Sequence, residues 1–132
     1  GSRSMDLLRF LDDICLRWYP KNVILHVGGN DWDFRDTTRT YENIVKIIQK
    51  IDDSGAGSIV FFTPRAPLYS DTKWKFMSGL RDMLKSNGVC RFIDISSEQL
   101  PLSSYIGDGV HFSRSGYRRI ANAVLEHLRN DN

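Results

Sequence analysis

Two short polar clusters carry the residue types that could do chemistry. Asp108-Gly109-Val110-His111 sets a carboxylate three residues before an imidazole. A carboxylate that accepts from Nδ1–H fixes the tautomer of a histidine and leaves Nε2 to act as a base. Two intervening residues let a loop bring both side chains to one side, and Gly109 permits the bend. Gly28-Gly29-Asn30-Asp31 is the second cluster. Asn30 offers an amide donor, and losing one fixed donor to a developing oxyanion typically costs about 10²–10³ in rate. Each cluster also has a plainer reading, a tight Gly/Asn turn for the one and a solvated loop for the other. Trp32, Phe34 and Tyr69 have rings suited to lining a pocket beside the clusters, or they are ordinary rim packing. His26 alternates inside an apolar run and reads as a core histidine, while His127 reads as surface. Arg114, Arg118 and Arg119 fall near the start of the last helix and read first as a solvated face.

Both clusters need a scaffold, and periodicity supplies one. Met5 to Trp18 reads as a helix, with Leu8, Leu11, Cys15 and Trp18 on one stripe and Pro20 ending it. Residues 22–27 hold a nearly continuous apolar run, which predicts a strand buried on both faces. Thr37 or Thr38 can cap a second helix bearing Tyr41, Ile44, Val45, Ile48 and Ile51. Residues 58–63 form a second strand. Ser70 or Asp71 opens a third helix with Trp74, Met77, Leu80 and Leu84 inward, and Asn87-Gly88 closes it. Residues 89–95 form a third strand, and Ser113 or Ser115 caps a last helix with Tyr117, Ile120, Ala121, Val124 and Leu128 inward. Strict alternation of strand and helix predicts an α/β domain with a short parallel sheet of three strands. In such sheets ligands sit beyond the carboxyl ends of the strands, where both polar clusters fall.

Bulk properties narrow the function. With 132 residues, one domain spanning 5–132 is the default, and Gly1-Ser2-Arg3-Ser4 before Met5 reads as an expression scar. A net charge of +2 is too small to argue for nucleic acid by itself. No apolar run is long enough for a membrane span, and no signal peptide opens the chain. Cys15 and Cys90 are too few for a disulfide framework and read as reduced, buried thiols of an intracellular, cytoplasmic protein. Histidines and cysteines show no metal-ligand spacing, so neither a metal nor another cofactor is expected. No glycine-rich phosphate loop follows any strand, which argues against a nucleotide binder.

Gly28-x-Asn30-Asp31 after a buried strand resembles block III of the SGNH (GDSL-type) hydrolases. Asp108-x-x-His111, followed by Phe112-Ser113 and Gly116, resembles block V, and Phe62-Thr63-Pro64 at a strand end is also similar to that family. The resemblance implies a flavodoxin-like three-layer α/β/α sandwich and an acyl-ester hydrolase: an esterase, lipase or deacetylase. It implies Asn30 as the oxyanion-hole asparagine, with Gly28 in the same turn, Asp108 as the triad acid and His111 as its base. The family's nucleophilic serine stands in a Gly-Asp-Ser block on an earlier strand, and no Gly-Asp-Ser occurs anywhere in this sequence. The expectation is therefore a truncated domain without its N-terminal strand and serine, acting on a small ester or acylated substrate only when that part is present. The alternative is a natural non-catalytic binding or assembly module, similar to esterase-like domains of some retrotransposon proteins and associated with RNA. Either way, strand 23–27 would lose its neighbour, and a homodimer or domain swap through that edge is expected.

Overall fold

The computed structural model describes residues 3–26 and 36–130. Along the chain, α1 (Ser4–Ile14) leads into β1 (Asn22–Leu25), α2 (Thr37–Asp53), β2 (Gly57–Phe62), α3 (Asp71–Asn87), β3 (Arg91–Asp94) and α4 (Arg114–Asn130). Single 3-10 turns at Leu16–Trp18 and Leu102–Ser104 join the set. The three strands are parallel in the order β1-β2-β3. Val23 lies beside Ser58 and Leu25 beside Val60, while Val60 lies beside Phe92 and Phe62 beside Asp94.

A sheet whose strands advance in one direction through right-handed crossovers receives its crossover helices on one face. That is the arrangement here. Leu11 and Leu16, the α2 residues Ile44, Ile47, Ile48 and Ile51, and Phe76, Leu80 and Leu84 of α3 pack together against Val23, Leu25, Val60 and Phe62. On the other face Ile120 and Val124 of α4 pack on Ile59, Ile93 and Ile95. The three layers are thus α/β/α, as the alternation predicts.

Several details depart from the sequence reading. β1 is buried on one face only. Val23 and Leu25 are inside, but Ile24 is 45% exposed, because no β1 residue joins the cluster under α4. Helix α1 stops at Ile14, short of Trp18. Tyr19 precedes Pro20, is barred from right-handed helical geometry, and takes φ 52. The chain tightens before it, so Leu16 is buried and Trp18 is exposed. Ser4 begins α1, is buried, and accepts from Asn43 Nδ2 at 3.3 Å. Ile47 rather than Val45 completes the inner stripe of α2. That helix is capped by Asp36, whose carboxylate accepts from the Arg39 N–H at 3.0 Å, rather than by Thr37 or Thr38. Ala121 of α4 is exposed, and Tyr117, 60% exposed, leaves the core to meet the Phe112 ring edge-on at 5.5 Å. Ser70 and Gly88 bound α3 as expected, the hydroxyl accepting from Lys73 N–H at 3.1 Å and the glycine taking φ 57.

Candidate active site

The Asp108–His111 pair is built by a small closed loop. Tyr105 and Phe112 form an antiparallel bridge, and their rings stack at 5.4 Å. Inside that bridge the Ile106 N–H donates to the His111 carbonyl at 2.9 Å, and the Gly109 N–H donates to the Ile106 carbonyl at 2.9 Å. Gly109 sits at φ 65, where a side chain is strained, and a Cβ there would lie 2.6 Å from Leu68 Cγ. The Gly109 carbonyl in turn accepts from the Leu68 N–H at 3.0 Å, tying this loop to the one that follows β2.

Within the loop, Asp108 Oδ1 accepts from the backbone N–H groups of Val110 and His111, each at 2.9 Å. Its Oδ2 lies 2.5 Å from His111 Nδ1. An ionised carboxylate can only accept, so Nδ1 carries the proton, and Nε2 is left for the cavity that the ring lines. The His111 side chain is 71% exposed, so the ring is reachable from solvent. The His111 side-chain hydrogen bond first, then the two backbone donors, hold the Asp108 carboxyl down at about 2.

A carboxyl depressed in the folded chain contributes stability above its unfolded pKa of about 3.9 and loses it as pH falls through the folded value. The contact with His111 should therefore survive acidification from neutral pH to about 4, with half-protonation of Asp108 near 2. Following the carboxyl carbon shift of Asp108 by NMR checks this. An ordinary midpoint near 4 would mean that the pair does not form in solution.

The cavity that His111 lines measures about 420 Å³ and opens at the carboxyl ends of the strands. Phe61, Phe62 and Thr63 reach it from the end of β2, and Tyr69 from the loop after β2. Helix α3 gives it one face at helical spacing, Lys73, Trp74, Met77, Ser78 and Arg81. The apolar residues of α3 therefore divide: Phe76, Leu80 and Leu84 fill the core, while Trp74 and Met77 turn to the cavity. Tyr69 is half-buried, its phenol raised by burial and by nearby Tyr105, and its ring lies 4.3 Å from Lys73 Nζ.

Of the residues singled out in sequence, Asp108, His111 and Tyr69 are brought to this end of the sheet. Gly28, Asn30, Trp32 and Phe34 lie outside the described residues. His26 is not a core histidine. It stands exposed at the end of β1, stacks on Phe61 at 4.6 Å and lines the cavity. Its place at the carboxyl end of a strand was the signal that its apolar neighbours masked. Ser96 also lines the cavity. Its hydroxyl is engaged, 2.5 Å from Asp94 Oδ1 and accepting from Arg81 Nη1 at 3.0 Å. Partial burial pushes the Asp94 carboxyl up, but hydrogen bonds from Ser96 and Lys85 outweigh it and hold the group below its usual range. Ser113 caps α4, its hydroxyl donating to the Ser103 carbonyl at 2.6 Å and accepting from Gly116 N–H at 3.2 Å. Among the described residues no cluster of His, Cys, Asp and Glu could hold a metal ion, and no helix is long and apolar enough to cross a membrane. Cys15 and Cys90 are free and only half-buried, and burial pushes the Cys90 thiol up to about 11.

No protein-family model matches the sequence. No curated protein matches it. Solved structures do. A candidate acylhydrolase from Bacteroides fragilis superposes with a TM-score of 0.82 at 22% identity, over 99% of this chain and 72% of the other. A GDSL-like lipase from Bacteroides thetaiotaomicron gives 0.75 at 16% identity, over 100% of this chain and 73% of the other. The psychrotrophic esterase EstA from Pseudoalteromonas, in a form inhibited by monoethylphosphonate, gives 0.76 at 16% identity, over 98% and 73%. The chain thus has the fold of these acylhydrolase, lipase and esterase structures, a three-layer α/β/α sandwich.

Proposed function

We propose that this chain carries the acid–base half of an SGNH-type acyl-ester hydrolase site. The observation that carries the reading is the Asp108–His111 contact at 2.5 Å, held by a bridged loop beside a cavity at the strand ends. His111 Nε2 is the base that takes a proton from the attacking hydroxyl and later returns it to the leaving alcohol. Asp108 orients the ring and stabilises the imidazolium. On the resemblance of Gly28-x-Asn30-Asp31 we assign Asn30, with Gly28, to the oxyanion side of the site, and Trp32, Phe34 and Tyr69 to the acyl or sugar pocket.

The nucleophile of such a site is not within this sequence, which has no Gly-Asp-Ser. The test uses a serine-directed phosphonate. The chain alone should not be labelled. The same chain joined to an upstream segment bearing Gly-Asp-Ser should take up one equivalent, rapidly with His111 and slowly in His111→Ala. Equal labelling rates in the two joined proteins would remove His111 from the base role. The absence of Gly-Asp-Ser also favours a second reading, a non-catalytic binding or assembly module, in which Arg114, Arg118 and Arg119 would contact RNA. Salt-dependent RNA binding, with no gain in hydrolysis when the serine is supplied, would select it.

We further propose that β1 pairs with a second copy. Among the described residues its outer edge is unpaired, and Ile24 stands exposed beside it. Unpaired strand edges template association. Light scattering should give a dimer at high protein concentration, and Ile24→Lys should shift it to monomer. A wild-type monomer under those conditions would contradict the pairing.

A further inference from the structure

We infer that the cavity beside His111 takes a ligand with a planar aromatic ring, so that the ester it accepts carries an aryl group, and that Trp74 is the residue that selects it. Rings reach the cavity from several elements at once. His26 and Phe61 come from the ends of β1 and β2, Trp74 from α3, and Phe112 and Tyr117 from the chain entering α4.

Most of these rings already have partners. His26 stacks on Phe61, the two planes 27° apart. Phe112 stacks on Tyr105 and meets Tyr117 edge-on. Tyr69 has the Lys73 ammonium over its ring. Trp74 differs. It is half-buried and lines the cavity, yet among the described residues neither a ring nor a cation lies against it. An indole placed so is a platform for a ring that the ligand brings. Met77, one turn further along the same face of α3, adds a polarizable thioether, which also favours aromatic contacts. The cations of that wall do not set the choice. Arg81 is paired with Asp82 and donates to Ser96, and Lys73 is held at Tyr69. A cavity of about 420 Å³ is ample for a small ring-bearing group. Aromatic pairs attract beyond the area they bury, through offset or edge-to-face contact. A saturated ring of the same size gains burial alone.

The inference rests on the ester reading only for the word ester; the ring preference is measured by binding. The probes are 3-phenylpropanamide and 3-cyclohexylpropanamide, both neutral and equal in heavy atoms. They are titrated against the chain with NMR shifts of the Met77 and His111 amides as the readout. Burial alone favours the cyclohexyl probe, whose saturated ring is the more hydrophobic. The phenyl probe should nevertheless bind at least about threefold more tightly. Trp74→Leu should reverse that order and Trp74→Phe should keep it, with circular dichroism confirming the fold of each. The wild-type comparison decides by itself if Trp74→Leu does not fold. A cyclohexyl probe that binds wild type as tightly as the phenyl one, or a phenyl preference untouched by Trp74→Leu, would overturn the inference. In the serine-bearing protein, ethyl 3-phenylpropanoate and phenethyl acetate, each against its cyclohexyl counterpart, then show whether the ring sits on the acyl or the alcohol side. Phenyl preference in binding without hydrolysis of either ester would instead count against the ester reading alone.

Discussion

p-Nitrophenyl acetate should be turned over by this chain barely above the rate in buffer, and joining a segment bearing Gly-Asp-Ser ahead of β1 should raise kcat by roughly 10⁴–10⁶. Triad members act as a unit. Without the nucleophile, an oriented imidazole and an oxyanion donor still leave about 10³–10⁴-fold catalysis over water in a complete protease. Here the serines that the structure places near the site are committed elsewhere. Ser78 donates to the Lys75 carbonyl, Ser96 is bonded to Asp94 and Arg81, and Ser113 closes the first turn of α4. In the joined protein, His111→Ala should cancel most of the gain, because the serine would lose its proton acceptor. Asp108→Asn should cost less, since the backbone contacts of the loop remain. Rapid hydrolysis by the chain alone, with stoichiometric phosphonylation of one of its own serines, would mean that a nucleophile other than the family's serves here.

Gly116→Ala should be the most damaging single methyl in the described chain. A Cβ at Gly116 would meet the Ser104 carbonyl oxygen at 2.0 Å and its carbon at 2.9 Å. These are backbone atoms, so no side chain can swing aside. Helix α4 must lift from the Leu102–Ser104 turn, where Ser113 N–H donates to the Ser104 carbonyl at 2.8 Å. Overpacking of this kind costs about 1–3 kcal/mol, and the upper end or beyond is expected where backbone blocks backbone. For a domain of this size about 3 kcal/mol lowers Tm by roughly 10 °C. Gly107→Ala is the control. No atom lies within 4 Å of its added Cβ, and its melting curve should stay near wild type. Matching curves for the two variants would show that α4 does not approach the turn this closely.

The order and type of the main elements were legible because their patterns are strong. Ile44, Ile48 and Ile51 in α2 and the run Ile59 to Phe62 in β2 leave little choice of period. Asp108 and His111 were legible because their spacing is local, and a loop of two residues can bring them together without distant help. What was not legible depends on which helix covers which strand. Ile24 looks like any core isoleucine until α4 is seen to pack on β2 and β3 alone. The same applies to His26 and Ser96, and to the cavity face of α3. Nothing in the sequence singles out Lys73 or Arg81, and only the tertiary arrangement turns them toward His111's cavity. Trp18 was misplaced for a local reason, the demand of Pro20 on Tyr19, whose effect reaches back along the chain.

The tie between the Leu68 amide and the Gly109 carbonyl spans two loops that belong to different strands. A segment that opens by itself usually lies at the low end of a protein's local stability. Here opening of the Asp108–His111 loop breaks its bond to the stretch between Pro64 and Ser70, where Tyr69 begins the cavity wall and Arg65 holds the Tyr69 carbonyl and Asp71 at the start of α3. The two loops are therefore coupled in their opening. A change that loosens the cavity wall at Tyr69 will also loosen His111, and a ligand that orders the wall will order His111 with it.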